Sequence, residues 1–305
     1  MSAAVYDVLI IGSGFSGSLL GWILASRGRR VLLVDAARHP RFAIGESSTP
    51  TADFLLAHLA DRWQLPALAP LACWGTWKRS YPQLPCGKKR GFSYYRHHPG
   101  QPYTDDPQHS NSQLVAASMS DEWSDTHWLR SSVDEFFVNQ AASAGCELLQ
   151  HTRVTGLQRR TDGQWQVQLE TSDSPETTFA RTVQCHWCAD ASGPGNALAG
   201  FLENPAQDTW MRTRSQAVFG HFLNVPGFTA AAASDDTFCG DDAAQHHVLD
   251  NGWCWMLRMD NGITSIGLVQ PTQGWRGRPD EHFQRITGRY PSLRKMLESA
   301  RLAAP

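Results

Sequence analysis

The sequence predicts an α/β fold opened by a parallel βαβ unit, and three observations carry that prediction. An apolar run from Val5 to Ile11 ends in a glycine cluster, Gly12-Ser13-Gly14-Phe15-Ser16-Gly17. The stretch LLGWILASRG behind it reads as a helix, and RVLLVD beyond that reads as a second buried strand closing on Asp35.

Each piece has a mechanical role in a Rossmann-type dinucleotide site. Gly12 permits the tight turn, Gly14 lets the backbone approach a pyrophosphate, and Gly17 lets helix and strand pack closely. The helix opening at Phe15 and Ser16 offers N–H groups and a partial positive charge to phosphates. Asp35 stands where an acid accepts from ribose hydroxyls. The flanking strands and helix are the context this motif requires, but the motif alone does not separate NAD from FAD.

The bulk composition narrows the class. A chain of 305 residues is long enough for one large domain or two intertwined ones. Its net charge of −2 gives no basic face for nucleic acid or an anionic membrane. Seven scattered cysteines do not form a disulfide framework and fit a reducing compartment. Asp7 and the glycine run mark the first apolar segment as a strand rather than a signal core, and no apolar run is long enough for a membrane span. The expectation is a soluble cytoplasmic protein. Twelve tryptophans point to large aromatic surfaces, in a core or along a pocket.

Beyond Asp35 the chain runs through a loop, His39 to Pro50, into the helix TADFLLAHLADRW, with Ser47, Ser48 and Thr49 as N-cap candidates. Residues 73–98 hold a basic cluster, Lys88-Lys89-Arg90, and a strand GFSYYRH with alternating aromatics; taken alone, such a run reads as a solvated loop. Asp125 to Arg130 precedes an amphipathic helix, SVDEFFVNQAASAG. TRVTGLQRRTDGQWQVQLET is a hairpin about Asp162-Gly163, and a strand over about 182–189 ends in Asp190-Ala191-Ser192-Gly193. Trp253 and Trp255 share one strand face, where they narrow a tunnel or fill a core. Cys185 and Cys188 have redox or zinc spacing, but strand alternation points them to opposite faces and no second pair completes a site. The pairs His97-His98 and His246-His247 read as ordinary polar positions, and no metal is expected.

On these segments the sequence resembles the flavin-dependent halogenases, a branch of the flavin monooxygenase superfamily. The resemblance rests on PRFAIGES, KRGFSYY, DTHWLR, the D-A-S-G turn and the W-x-W segment, and it spans essentially the whole chain. It implies FAD as the dinucleotide and a fold like p-hydroxybenzoate hydroxylase. The FAD-binding domain would comprise 1–60 and 125–200, and an inserted β-sheet-rich substrate domain 61–124 and 201–305. It places Ser47 along the flavin, Arg130 on FAD, Val154 against the adenine, and Asp190 and Gly193 in the turn that returns to the first sheet. It assigns the catalytic lysine to Lys89, with Lys78 as the competitor on spacing.

In such enzymes a flavin hydroperoxide attacked by halide gives hypohalous acid, which the lysine holds or captures as a haloamine. That role requires an amine at a dry site, where burial lowers the ammonium pKa. The implied requirements are O2, chloride or bromide, and FADH2 delivered by a separate flavin reductase, since one Rossmann fingerprint is present. Trp253 and Trp255 would flank the flavin–substrate tunnel. Arg258 stands where tryptophan-specific members carry proline, which points instead to a small phenol or pyrrole, free or carrier-tethered. Family members run longer, and the missing C-terminal part carries a further flavin contact, the chloride site and a glutamate. The 305-residue chain is therefore expected to bind FAD weakly or not at all. An FAD-dependent aromatic hydroxylase and an incomplete flavin-binding pseudoenzyme are the alternatives.

Overall fold

Val5–Ile11 (β1) and Val31–Val34 (β2) lie parallel, joined by the helix Phe15–Ser26 (α1). All four β2 side chains are buried, as an apolar run without alternation requires. The computed structural model describes residues 5–174, 177–202, 204, 211–228 and 238–303. They divide into two units, residues 1–44 with 130–210 and residues 45–129 with 211–305.

The chain leaves the first unit for the helix Pro50–Trp63 (α2). Thr49 is its N-cap, accepting from the Ala52 N–H at 3.3 Å, and Pro50 fills the first turn. A short helix, Trp74–Ser80 (α3), buries Trp77, whose indole N–H donates to the Leu84 carbonyl at 3.0 Å. Next come Cys86–Lys89 (β3), Gly91–Arg96 (β4), Ser112–Ala116 (β5) and Asp125–Trp128 (β6). β3 and β6 form a two-stranded antiparallel ribbon that sets Lys89 opposite Asp125 and Gly87 opposite His127.

Back in the first unit, Arg130–Ser143 (α4) packs on α1 through Phe137. Its ring meets Phe15 edge-on at 4.9 Å and lies 6.2 Å from Trp22. Glu147–Leu149 (β7) extends the parallel set. Thr152–Arg159 (β8) and Trp165–Ser174 (β9) make the expected hairpin, and Thr177–Asp190 (β10) returns beside β1. The sheet order is β7-β2-β1-β10-β9-β8, with a core that includes Leu9, Leu32, Val34, Val167, Leu169 and Val183.

The second unit is completed by Ser215–Leu223 (β11), Ala244–Leu249 (β12), Gly252–Arg258 (β13) and Thr264–Pro271 (β14). The helices Pro279–Thr287 (α5) and Pro291–Leu297 (α6) and the short strand Arg301–Leu302 (β15) follow. Its seven-stranded sheet runs β15-β11-β14-β13-β12-β4-β5, with β12 and β4 parallel. Ile286, Tyr290, Leu293 and Met296 pack on Met256, Ile266 and Leu268, which gives this sheet its own core. No helix among the described residues is long and apolar enough to cross a membrane.

Two expectations need correction. Residues 45–60 and 125–129 lie in the second unit, because the GES loop pairs with β6. Ser48 N–H donates to the Thr126 carbonyl at 3.0 Å, Thr126 N–H returns a bond to the Ser48 hydroxyl at 3.0 Å, and Trp128 N–H donates to the Glu46 carbonyl at 2.6 Å. Cys185 and Cys188 do not point to opposite faces, since their sulfurs lie 3.4 Å apart. Their β1 partners, Tyr6 and Leu9, also share one core, and His186 and Trp187 between the cysteines are both exposed. Alternation therefore breaks in the two strands together.

Candidate cofactor turn and buried lysine site

The glycine turn belongs to the first unit. Gly12 has φ +98°, and a Cβ there would lie 2.4 Å from the Ala191 carbonyl oxygen, beyond the end of β10. A Cβ at Gly17 would lie 1.9 Å from the Gly12 oxygen. Both positions need glycine for the protein's own packing. Gly14 is different: its backbone is ordinary, and a Cβ would meet nothing closer than Arg41 Nη2 at 3.4 Å, then Arg130 Nη2 and Asp134 Oδ2 at 3.8 Å. The missing side chain leaves a space at the N-terminus of α1, bordered by two guanidinium groups. α1 has no acid in its first turn and no capping side chain. An anionic group fits such a space, through helix N–H groups and the helix dipole. Phe15 and Ser16 form the first turn of α1.

Asp35 is already engaged. Its Oδ2 accepts from the Ser13 N–H and hydroxyl at 2.7 Å each and from Arg41 at 3.1 Å, while Oδ1 accepts from Ala37 N–H at 2.8 Å. Burial works to raise its pKa, but these bonds prevail and hold the carboxyl below its usual range. The Asp35–Ser13 bonds tie the turn to the end of β2. Arg130 pairs with Asp134 through Nε at 2.8 Å and Nη2 at 2.9 Å, and donates to the Ile44 carbonyl at 2.7 Å. The Asp190 carboxylate caps its own turn, accepting from Ser192 and from Leu198 N–H, and Gly193 follows with φ +61°. Val154 packs on the core of the first unit.

In the second unit the basic run splits by strand alternation. Lys88 faces outward and pairs with Asp121 at 2.6 Å and Asp242 at 2.9 Å. Lys89 is 0% exposed. Its ammonium donates to the Ser48 carbonyl, stands 3.6 Å from Asp125 Oδ2, and lies 4.4 Å from the centroid of the Phe92 ring. Burial pushes the Lys89 pKa down, against the opposing pull of Asp125 and Asp53. Lys78 sits differently, in a partly exposed ion pair with Asp260 at 2.5 Å and bonded to the Pro82 carbonyl. Of the two candidate lysines, Lys89 is the one at a dry site.

Other groups gather around it. His127, fully buried, has its imidazole pushed down to about 3 by burial and the Lys89 charge. Asp53, in the first turn of α2, has its carboxyl pushed up to about 8 by burial and the Asp125 charge. Glu46 of the GES loop is 2% exposed and meets His221 Nε2 at 2.6 Å. Ser47 beside it is exposed and bridges β6 at His127. Trp253 and Trp255 share a face as expected, with ring centroids 5.9 Å apart. Trp255 lies against the backbone of Gly267, where a Cβ would fall 2.2 Å from its ring, and donates to Ser265 at 3.2 Å. Arg258 pairs with Asp241 at 3.2 Å and donates to the Val225 and Pro226 carbonyls.

Sequence alone does not single out Asp53, because an acid in a helix's first turn is explained by the dipole. It does not mark Glu46 or His221 either. A weak signal existed for Asp125 and His127, which share a strand face by alternation. Among the described residues no cluster of metal ligands is present.

Residues 10–61 match the family model of an NAD(P)-binding Rossmann-like domain. Across the chain, tetracycline 7-halogenase of Kitasatospora aureofaciens is 29% identical over 97% of this chain and 53% of that protein. Monodechloroaminopyrrolnitrin halogenase PrnC of Pseudomonas fluorescens is also 29% identical, over 97% of this chain and 51% of its own length. The crystal structure of halogenase PltM with phloroglucinol and FAD superposes with a TM-score of 0.84 at 27% identity, covering 98% of this chain and 59% of that one. The chain spans about half the length of the curated relatives it matches. In sequence and in fold, the chain is similar to flavin-dependent halogenases over nearly its whole length.

Proposed function

We propose that the protein binds FAD at the Gly12–Gly17 turn and halogenates an electron-rich aromatic of the phenol or pyrrole kind, with Lys89 carrying the electrophilic halogen. The observation that carries this reading is Lys89 itself, fully buried, with the Asp125 carboxylate 3.6 Å away on one side and an aromatic ring over another. The relatives supply the substrate class: one is named for a chlorinated pyrrole, another is solved with phloroglucinol and FAD.

Gly14 leaves room for the pyrophosphate, the α1 N-terminus faces it, and Arg41 and Arg130 border the space. Reduced FAD bound there would supply, with O2, the two-electron oxidation that turns halide into an electrophilic halogen. Lys89 Nζ would hold hypohalous acid, either as an ammonium donating a hydrogen bond to its oxygen or as a free amine that takes the halogen as the O–X bond breaks, one amine proton leaving with the hydroxide as water. Burial favours the amine by lowering its proton affinity, and it excludes the water that would consume the halogen. A separate flavin reductase supplies the reduced cofactor, and the aromatic arrives free or on a carrier.

The test is mass spectrometry of products from a panel of phenols and pyrroles, with FAD, a flavin reductase, O2, and chloride or bromide. Halogenated products that vanish in Lys89→Ala while FADH2 oxidation continues are expected. Products bearing one added oxygen, or halogenation that survives in Lys89→Ala, would overturn the assignment.

A further inference from the structure

Two carboxyl groups, from two further elements of the second unit, act on the Lys89 ammonium. Lys89 closes β3 and Asp125 opens β6 directly opposite, 3% exposed, with its Oδ2 3.6 Å from the lysine nitrogen. Asp53 comes from the first turn of α2, and its Oδ1 is buried without a hydrogen-bond partner. Ser48 links the elements, giving its carbonyl to Lys89 and its hydroxyl to Thr126 N–H. The other titratable groups that face Lys89 are His127 on β6 and His246 on β12. Burial lowers both imidazoles, which leaves them neutral near pH 7 and adds no charge. Lys88 and Arg90 turn away and pair with Asp121.

A charge count decides the state of this cluster. An ammonium with two ionised carboxylates would leave one uncompensated negative charge in a dry site, which is costly. One proton on a carboxyl removes that cost. Both carboxyls carry a buried oxygen without a hydrogen-bond partner, but Asp125 is the one in register with the ammonium, at 3.6 Å, which leaves the proton to Asp53. We propose that Asp53 is a positioning residue, protonated at neutral pH, that sets how firmly Lys89 holds its proton.

While Asp53 is neutral, one carboxylate holds the ammonium, and the amine is released readily. Once Asp53 ionises, a second negative charge locks the proton on Lys89. Burial and Asp125 raise the Asp53 carboxyl, while the Ser48 hydroxyl and Lys89 itself pull it down. The coupling is reciprocal, so the steps belong to the cluster rather than to one residue. The catalytic meaning rests on the lysine reading proposed above, since a lysine that carries halogen as an amine must first lose its proton.

The lysines of the chain are Lys78, Lys88, Lys89 and Lys295, so a spectrum of the full chain labelled at lysine Cε is simple to assign, with Lys89→Met identifying the signal. In Asp53→Asn the Lys89 midpoint should fall by about one pH unit or more, tenfold in proton affinity, with the other three unmoved. A midpoint equal to the native one overturns the inference. Because asparagine could disturb the α2 turn, the native protein gives a second measurement through label at aspartate Cγ. The Asp53 carboxyl should titrate well above the usual range and in step with Lys89, and titration below about pH 5 overturns the inference without any variant. Neither readout uses turnover. Halogenation lost in Lys89→Ala with an unshifted titration sinks the Asp53 role alone, whereas the expected titration without halogenated product sinks the functional reading alone.

Discussion

At the scale of single residues, the three glycines of the first turn do different work. Gly12 and Gly17 are fixed by carbonyl oxygens a methyl group could not share space with, whereas Gly14 faces room. Gly12→Ala is expected to lower stability by about 3 kcal/mol or more, through a positive φ and a backbone clash. Gly14→Ala should cost less than about 1 kcal/mol, as an N-cap change. It should nevertheless weaken FAD binding at least about tenfold, because a methyl group fills the cradle. Denaturant unfolding and flavin titration on both variants separate the two roles; equal stability losses would refute the distinction. The sequence assigns the turn to Gly12, the open approach to Gly14 and the close packing to Gly17; what it does not show is the group that constrains Gly12, because Ala191 lies far along the chain. The resemblance points to Lys89, and the structure shows it buried; nothing in the sequence points to Asp53, because nothing local tells a dipole-matched acid from one buried near another carboxyl.

At the scale of elements, β3 shows how a strand overrules composition. A run of three basic residues reads as solvated, yet alternation sends Lys88 to surface acids and Lys89 inside. Its acidic partners come from β6 and the segments around 121 and 242, a pairing that spacing along the chain does not reveal. β10 shows the converse: strict alternation separates Cys185 from Cys188, and a break shared with β1 brings them together. α4 was read as amphipathic, and its docking on α1 depends on Phe137, 1% exposed between Phe15 and Trp22. Phe137→Ala is expected to cost about 3–5 kcal/mol by leaving a cavity between the two helices. A loss below about 1 kcal/mol in urea unfolding would mean that this helix pair is held elsewhere.

At the scale of the molecule, buried imidazoles tie stability to pH. His97 and His247 meet at 3.0 Å through Nε2 and Nδ1 among Tyr95, Tyr103 and Phe228. Burial pushes His97 down to about 4 and His127 to about 3, with His247 well below its ordinary value. An unfolded chain takes up those protons near 6.5, so the contribution of each neutral imidazole is complete above that pH. It is lost as pH falls toward the folded values, roughly 3 kcal/mol for a shift like that of His97. Unfolding free energy should therefore drop between pH 6.5 and 5, and His97→Gln should flatten that limb. An equally steep limb in the variant would place the acid sensitivity elsewhere. The sequence reads His97 and His247 as ordinary polar positions, because what buries them is a sheet assembled from both ends of the second unit. It did show a chain that leaves and re-enters its first sheet; the crossing points moved because the GES loop bonds to β6 rather than to the strands before it.

That interleaving governs how the molecule is made. Val5 pairs with Gln184, and Phe92 pairs with Ala244, so each sheet waits for a strand synthesised much later. At ribosomal speed, the apolar edge of β1 stands open for on the order of ten seconds or longer before β10 emerges. Contacts so distant in sequence also close slowly after release. Val5–Ile11 is thus a segment left open to wrong pairing in the nascent chain, and shielding that edge during synthesis should raise the yield of folded protein.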